Sequence, residues 1–136
     1  MREYCLKRRV LFYETDAAGI VHFSMFFRYM EEAEHALWRS AGISVHPPDG
    51  NGVGWPRVKA TCEYHRALRF EQEFDVTVRV SEINRRTVTF VSSFTREGEP
   101  IATGHVVVAC VQQGSNGTMK SMEIPPDIAA RLRGDQ

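Results

Sequence analysis

Residues 24 to 42 read Ser24-Met25-Phe26-Phe27-Arg28-Tyr29-Met30-Glu31-Glu32-Ala33-Glu34-His35-Ala36-Leu37-Trp38-Arg39-Ser40-Ala41-Gly42. Phe26, Tyr29, Met30, Ala33, Leu37 and Ala41 fall at spacings of three and four, which is one apolar face of a helix. Glu31, Glu32, Glu34 and Arg39 mostly occupy the other side. Ser24 is placed to cap the start and Gly42 to end the last turn. The pattern predicts a helix of about 17 residues, the only long one in the chain.

Downstream the period drops to two. Val58, Ala60, Cys62 and Tyr64 alternate with Arg57, Lys59, Thr61 and Glu63. Phe74, Val76, Val78 and Val80 do the same, then Val88, Phe90, Ser92 and Phe94 beyond the Arg85-Arg86 pair. Glu97-Gly98-Glu99-Pro100 reads as a hairpin turn, and Ile101 to Gln112 as a strand buried on both faces. His46 to Gly52 and Gln113 to Thr118 are loops by composition. Tyr4 to Tyr13, ahead of the helix, reads as a further strand, and a short helix is expected to begin near Pro126. One long helix and several strands joined by short turns make an α+β domain, with the sheet wrapped around the helix.

The chain has 136 residues, which predicts one domain spanning residues 1–136. Lys plus Arg and Asp plus Glu are both 17, so a dedicated nucleic-acid binder is not expected. A net charge of zero also leaves little self-repulsion against association. Cys5, Cys62 and Cys110 share no short spacing and lie in strand-like stretches. They read as buried small hydrophobes in a reducing, cytoplasmic compartment. No signal-like apolar segment opens the sequence, and Val106 to Val111 is far too short to span a membrane. The five histidines show no paired spacing with Cys or acidic residues, so no metal is expected. There is no Gly-x-Ser-x-Gly elbow for a serine hydrolase.

Immediately before the helix stands Tyr13-Glu14-Thr15-Asp16-Ala17-Ala18-Gly19-Ile20-Val21-His22-Phe23. An acid thus precedes a glycine turn that feeds a helix N-terminus. That terminus offers unpaired N–H groups and a positive dipole end, able to hold an oxyanion. A carboxylate beside it can activate water or attack a carbonyl. On the bare pattern, though, an Asp before a Gly turn is as a rule a turn-former that bonds its own backbone.

The segment Tyr13 to Val21, with Phe26 and Glu31 beyond it, resembles the signature of the hotdog-fold acyl-CoA thioesterases, in the 4-hydroxybenzoyl-CoA thioesterase-like branch. Glu63-Tyr64 followed by Arg69, and the Ile124-Pro125 end, resemble the family more loosely. The resemblance implies a curved antiparallel sheet around one helix, a homodimer or homotetramer, and an acyl-CoA substrate hydrolysed without a cofactor. It places Asp16 on the catalytic acid and the backbone N–H of Phe23 on the oxyanion donor. Gly19 falls against the substrate. Arg85 and Arg86 correspond to a basic run that holds CoA phosphates, a task suited to the planar guanidinium fork, although a solvated turn is the ordinary role of such a pair. Trp55 is a candidate acyl-pocket wall; a core aromatic is the commoner role of that residue type. The chain departs from many relatives at His22-Phe23, at Ala67 and at Gln72, and His22 is given no catalytic part. Two other classes stand beside the hydrolase: a non-catalytic acyl-CoA sensor on the same fold, which would have no need of Asp16, and a dehydratase, whose Asp–His arrangement has no counterpart here.

Overall fold

The structure, a computed structural model, describes residues 1–45 and 52–134. In chain order the elements are β1 (Glu3–Arg9), a 3-10 turn (Phe12–Glu14), α1 (Met25–Ser40), β2 (Val53–Gly54), β3 (Arg57–Tyr64) and β4 (Glu73–Ile83). They continue with β5 (Thr87–Arg96), β6 (Glu99–Ala109), β7 (Val111–Gln113), β8 (Met119–Ser121) and α2 (Pro126–Arg133). Five strands form one sheet in the order β1-β4-β5-β6-β3, and β2-β7-β8 form a smaller one. Every neighbouring pair in the larger sheet is antiparallel.

α1 lies against the concave face of the large sheet, because that is where its apolar stripe is covered. Phe26, Tyr29, Met30, Ala33 and Leu37 are buried on it, opposite Val76, Val78, Val80, Phe90, Phe94 and Val108 of the strands. Gly42 takes φ +75 and ends the helix as expected. Ser24 precedes Met25 but its side chain makes no capping bond. α2 begins at Pro126, and Leu132 seals the core beneath it.

At Gly104 on β6 the Met30 side chain of α1 lies directly against the sheet backbone. A side-chain carbon there would overlap Met30 Sδ. We expect Gly104→Ala to destabilise the protein by about 1–3 kcal/mol, the usual effect of overpacking. Chemical denaturation would show it as a lower midpoint at unchanged slope; an unchanged midpoint would mean that Met30 has room to move.

The structure corrects several expectations. The first strand stops at Arg9, not Tyr13. Val10 bonds the turn at Glu71 and Gln72, and the Glu14 carboxylate captures the Leu11 N–H, so the chain coils into the 3-10 turn. Ile101 to Gln112 is not buried on both faces. His105 is exposed, and the chain leaves the large sheet at Cys110 to form β7. Of the cysteines only Cys110 is buried; Cys5 is exposed and Cys62 partly so. β3 carries the predicted alternation, yet within the chain only Cys62 is partly covered and Val58 is 61% exposed. β3 is an outer strand that pairs with β6 alone; among the described residues α1 meets it only at its ends, where Arg57 pairs with Glu31 and Glu34 and the Tyr64 ring meets Phe26. The loop expected at His46 to Gly52 lies, Gly52 apart, outside the described residues.

Candidate active site

The stretch from Glu14 to His22 folds back on itself as a small hairpin. The His22 N–H donates to the Glu14 carbonyl (2.9 Å), and the Asp16 N–H to the Ile20 carbonyl (2.8 Å). Gly19, at φ +80, turns the chain in a region that side chains disfavour, and its N–H closes on the Asp16 carbonyl (3.0 Å). The Val21 N–H donates to the Leu68 carbonyl (2.8 Å), which fixes the hairpin to the chain entering β4.

Asp16 is half-buried. Its Oδ1 accepts the Ala18 N–H at 2.8 Å, the ordinary bond of an Asp in a turn. Among the described residues its second oxygen has no partner. Asp16 also lines a cleft of about 320 Å³ together with Ile20, Phe23, Phe26, Tyr64 and Leu68. The turn bond therefore occupies one oxygen of the carboxylate and leaves the other without a partner among the described residues.

Phe23, two residues before α1, lines the same cleft. Its N–H donates to no group among the described residues. Its neighbours are occupied: the Met25 N–H bonds the His22 carbonyl (2.9 Å), and the Ser24 N–H bonds His22 Nδ1 (3.2 Å). A ring nitrogen that accepts from a backbone N–H carries no proton, so the Ser24 hydroxyl donates to the same Nδ1 at 2.8 Å. The proton of neutral His22 is on Nε2. His22, rather than Ser24, caps the helix start, and of the N–H groups from Phe23 to Met25 the one left without an acceptor among the described residues is Phe23's.

Tyr64 also lines the cleft. Its hydroxyl donates to the Phe23 carbonyl (2.9 Å), and its ring meets Phe26 edge-on at 5.1 Å. Burial, with Cys62 beside it, pushes the phenol up to about 12, so it remains a donor near neutral pH. Tyr64, His65 and Arg66 all line the cleft, and none was singled out for a role from sequence. The only signal for them was the loose resemblance of Glu63-Tyr64, since contact with the Asp16 hairpin depends on the turn before β4.

Other expected groups lie elsewhere within the chain. Trp55 stacks obliquely on Trp38 at 4.9 Å and lines a separate depression with Gly42 and Ile128. Arg85 and Arg86 do form the turn between β4 and β5, but at its far end. Thr87 beside them and Phe94, which touches Phe26, are separated by about seven residues of strand, roughly 23 Å. Arg85 pairs with Glu123 (3.0 Å) and holds that carboxyl below its usual range, and Arg86 bonds the Ser121 hydroxyl (3.0 Å). Among the described residues no three His, Cys, Asp or Glu side chains gather as metal ligands, and no helix is long and apolar enough to cross a membrane.

The family model of the Thioesterase-like superfamily matches residues 10–132 of this chain. The chain belongs to that superfamily. Its fold is the hotdog, and it is a thioester hydrolase. The crystal structure of a hypothetical protein from Aquifex aeolicus is 35% identical, with TM-score 0.85, covering 95% of this chain and 98% of that one. A gentisyl-coenzyme A thioesterase structure is 25% identical, with TM-score 0.84, covering 95% of this chain and 99% of that one. A 1,4-dihydroxy-2-naphthoyl-CoA hydrolase of Prochlorococcus marinus is 28% identical over 110 residues, 75% of this chain and 71% of its own length.

Proposed function

We propose that this thioesterase hydrolyses an aryl- or short-acyl-CoA to the free acid and CoA. The observation that supports the reading is that one mostly apolar cleft is lined both by Asp16, whose second carboxylate oxygen has no partner among the described residues, and by Phe23, whose N–H has none. Water, or Asp16 itself, adds to the thioester carbonyl, and the Phe23 N–H takes the charge that develops on its oxygen. The C–S bond then breaks and CoA leaves as the thiol after taking a proton. Where Asp16 attacks, water cleaves the resulting anhydride and restores the carboxylate.

The acyl group is read from the lining. Phe23, Phe26 and Tyr64 present aromatic surface, and offset contacts with an aryl ring contribute about 0.5–1.5 kcal/mol per pair. Trp55, the acyl-wall candidate, is not among the lining residues, and neither is Phe27. The volume of about 320 Å³ is at the small end for ligand sites. The two named relatives that act on aromatic CoA esters favour the same class. A panel of CoA esters assayed for thiol release tests this. We expect kcat/KM for benzoyl-CoA to exceed that for palmitoyl-CoA, and the opposite order would overturn the assignment.

We further propose that the protein works as a homodimer or homotetramer, joined through the uncovered strand β3. An unpaired edge with exposed apolar groups invites a second copy. Such a partner is also the route by which Arg85 and Arg86 reach CoA bound at the Asp16 cleft, given their distance within one chain. Replacing both with Ala is expected to raise KM for full CoA esters and reduce its salt dependence, with kcat nearly unchanged. Pantetheine thioesters lack those phosphates and should not respond. An unchanged KM, or sedimentation as an active monomer, would remove the pair from the site.

A further inference from the structure

Two acids are buried among the described residues: Glu34, which accepts from Trp38 Nε1 and Arg57, and Glu14, which has no task in the proposed reaction. Glu14 is 0% exposed, two residues before Asp16. Its Oε1 accepts from the Leu11 N–H (2.8 Å), the Tyr29 hydroxyl (2.9 Å) and Arg8 Nη1 (3.0 Å). Its Oε2 lies 2.7 Å from Arg8 Nη2 as an ion pair, without the alignment of a hydrogen bond. Arg8 lies over the Tyr29 ring at 4.7 Å and also holds Glu32 through Nε (3.0 Å) and Nη2 (3.1 Å). Burial and the bond to Glu14 push the Tyr29 phenol up, so it stays a donor.

The main chain of Glu14 explains what this cluster holds. Its carbonyl accepts the His22 N–H, the bond that closes the base of the hairpin. Asp16 leaves that closed pair on one arm, and Phe23 follows His22 directly on the other. The spacing between the carboxylate and the oxyanion donor is therefore set from Glu14. Its side chain anchors this base to β1 through Arg8 and to α1 through Tyr29.

We infer that Glu14 is a positioning residue: its buried carboxylate, clamped by Arg8 and Tyr29, keeps Asp16 and the Phe23 N–H in catalytic register. This rests on the proposed roles of Asp16 and Phe23. A buried ion carries a large desolvation penalty, and a well-packed apolar side chain would often serve stability as well. An apolar residue could not hold Leu11, Tyr29 and Arg8 at once.

The test is a kinetic cycle on the full chain, with wild type, Glu14→Gln, Asp16→Asn and the double variant, at a temperature where circular dichroism shows each folded. Gln keeps the shape, but its amide sets donors against Arg8. A displacement on the ångström scale predicts a fall in kcat of about 10–100-fold for Glu14→Gln, with KM moved little. In the Asp16→Asn background the same change should leave the residual rate within about twofold, because what Glu14 sets is where the Asp16 carboxylate stands relative to the Phe23 N–H. A loss of fold alone would lower kcat equally in both backgrounds, and that result overturns the inference. So does a folded Glu14→Gln with wild-type kcat while Asp16→Asn is impaired. Wild-type kcat in Asp16→Asn would instead defeat the reading of the site itself. Should Glu14→Gln fail to fold, Tyr29→Phe decides, since it removes one tether and keeps the ion pair. A severalfold fall in kcat, absent in the Asp16→Asn background, supports the clamp, and wild-type kcat in Tyr29→Phe refutes it.

Discussion

Asp16→Asn is expected to lower kcat by about 10²–10⁴, the range for loss of a positioned acid–base group, while leaving the fold and substrate binding largely intact. The amide is nearly the same size as the carboxylate. Its oxygen can still accept the Ala18 N–H, so the turn does not depend on the charge. What is lost lies at the second oxygen, where Asn offers a donor instead of a base or nucleophile. If Asp16 were a turn-former alone, this variant would hydrolyse its best ester almost normally. Steady-state kinetics, circular dichroism and a binding titration on one preparation separate the cases. A folded variant that keeps more than about a tenth of wild-type kcat falls outside the expected loss and defeats the assignment.

The parts of this protein legible in its sequence are those set by short-range pattern. The stripe from Phe26 to Ala41 places α1 almost to the residue, because a 3.6-residue period has no other use over that length. The Asp16 turn was legible for a similar reason, since its bonds span at most four residues. Expectation failed where a group's fate depends on partners remote in sequence. Glu14 looks like one more polar turn residue until Tyr29, one helix turn inside α1, brings its hydroxyl down on it. Arg85 and Arg86 were recognisable as a basic turn, but the strand length that separates them from Asp16 emerges only from the sheet register. The alternation in β3 predicted a half-buried strand, and its covering is what a second copy would provide. Trp55 reads from sequence as an acyl wall or, more commonly for its type, as a core aromatic, and Trp38 claims it.

The second large effect concerns a backbone group, which ordinary side-chain replacement cannot remove. Phe23→Pro deletes the N–H proposed to stabilise the oxyanion, while Phe23→Ala keeps that N–H and deletes only the ring. The N–H has no partner among the described residues, so its loss breaks no hydrogen bond of the fold. Proline is also well tolerated at the entrance to a helix, where donors are free in any case. The ring is 64% exposed, so neither variant opens a core cavity. The difference between the two therefore isolates the donor. Removing one oxyanion-hole donor typically lowers kcat by about 10²–10³, and Phe23→Pro should fall below Phe23→Ala by that factor. KM should differ little between them, since the charge appears only as the tetrahedral species forms. Phe23→Ala alone should mainly raise KM for aryl esters, through loss of ring contact. Circular dichroism and the Tyr64 contact, followed by tyrosine fluorescence, would confirm that the start of α1 is undisturbed. Equal kcat in two folded variants would move the oxyanion site away from Phe23. It would leave Asp16 facing a carbonyl stabilised by some other donor of the cleft, such as the side chains of His65 or Arg66 on its lining, whose backbone N–H groups are taken by the Ile101 carbonyl.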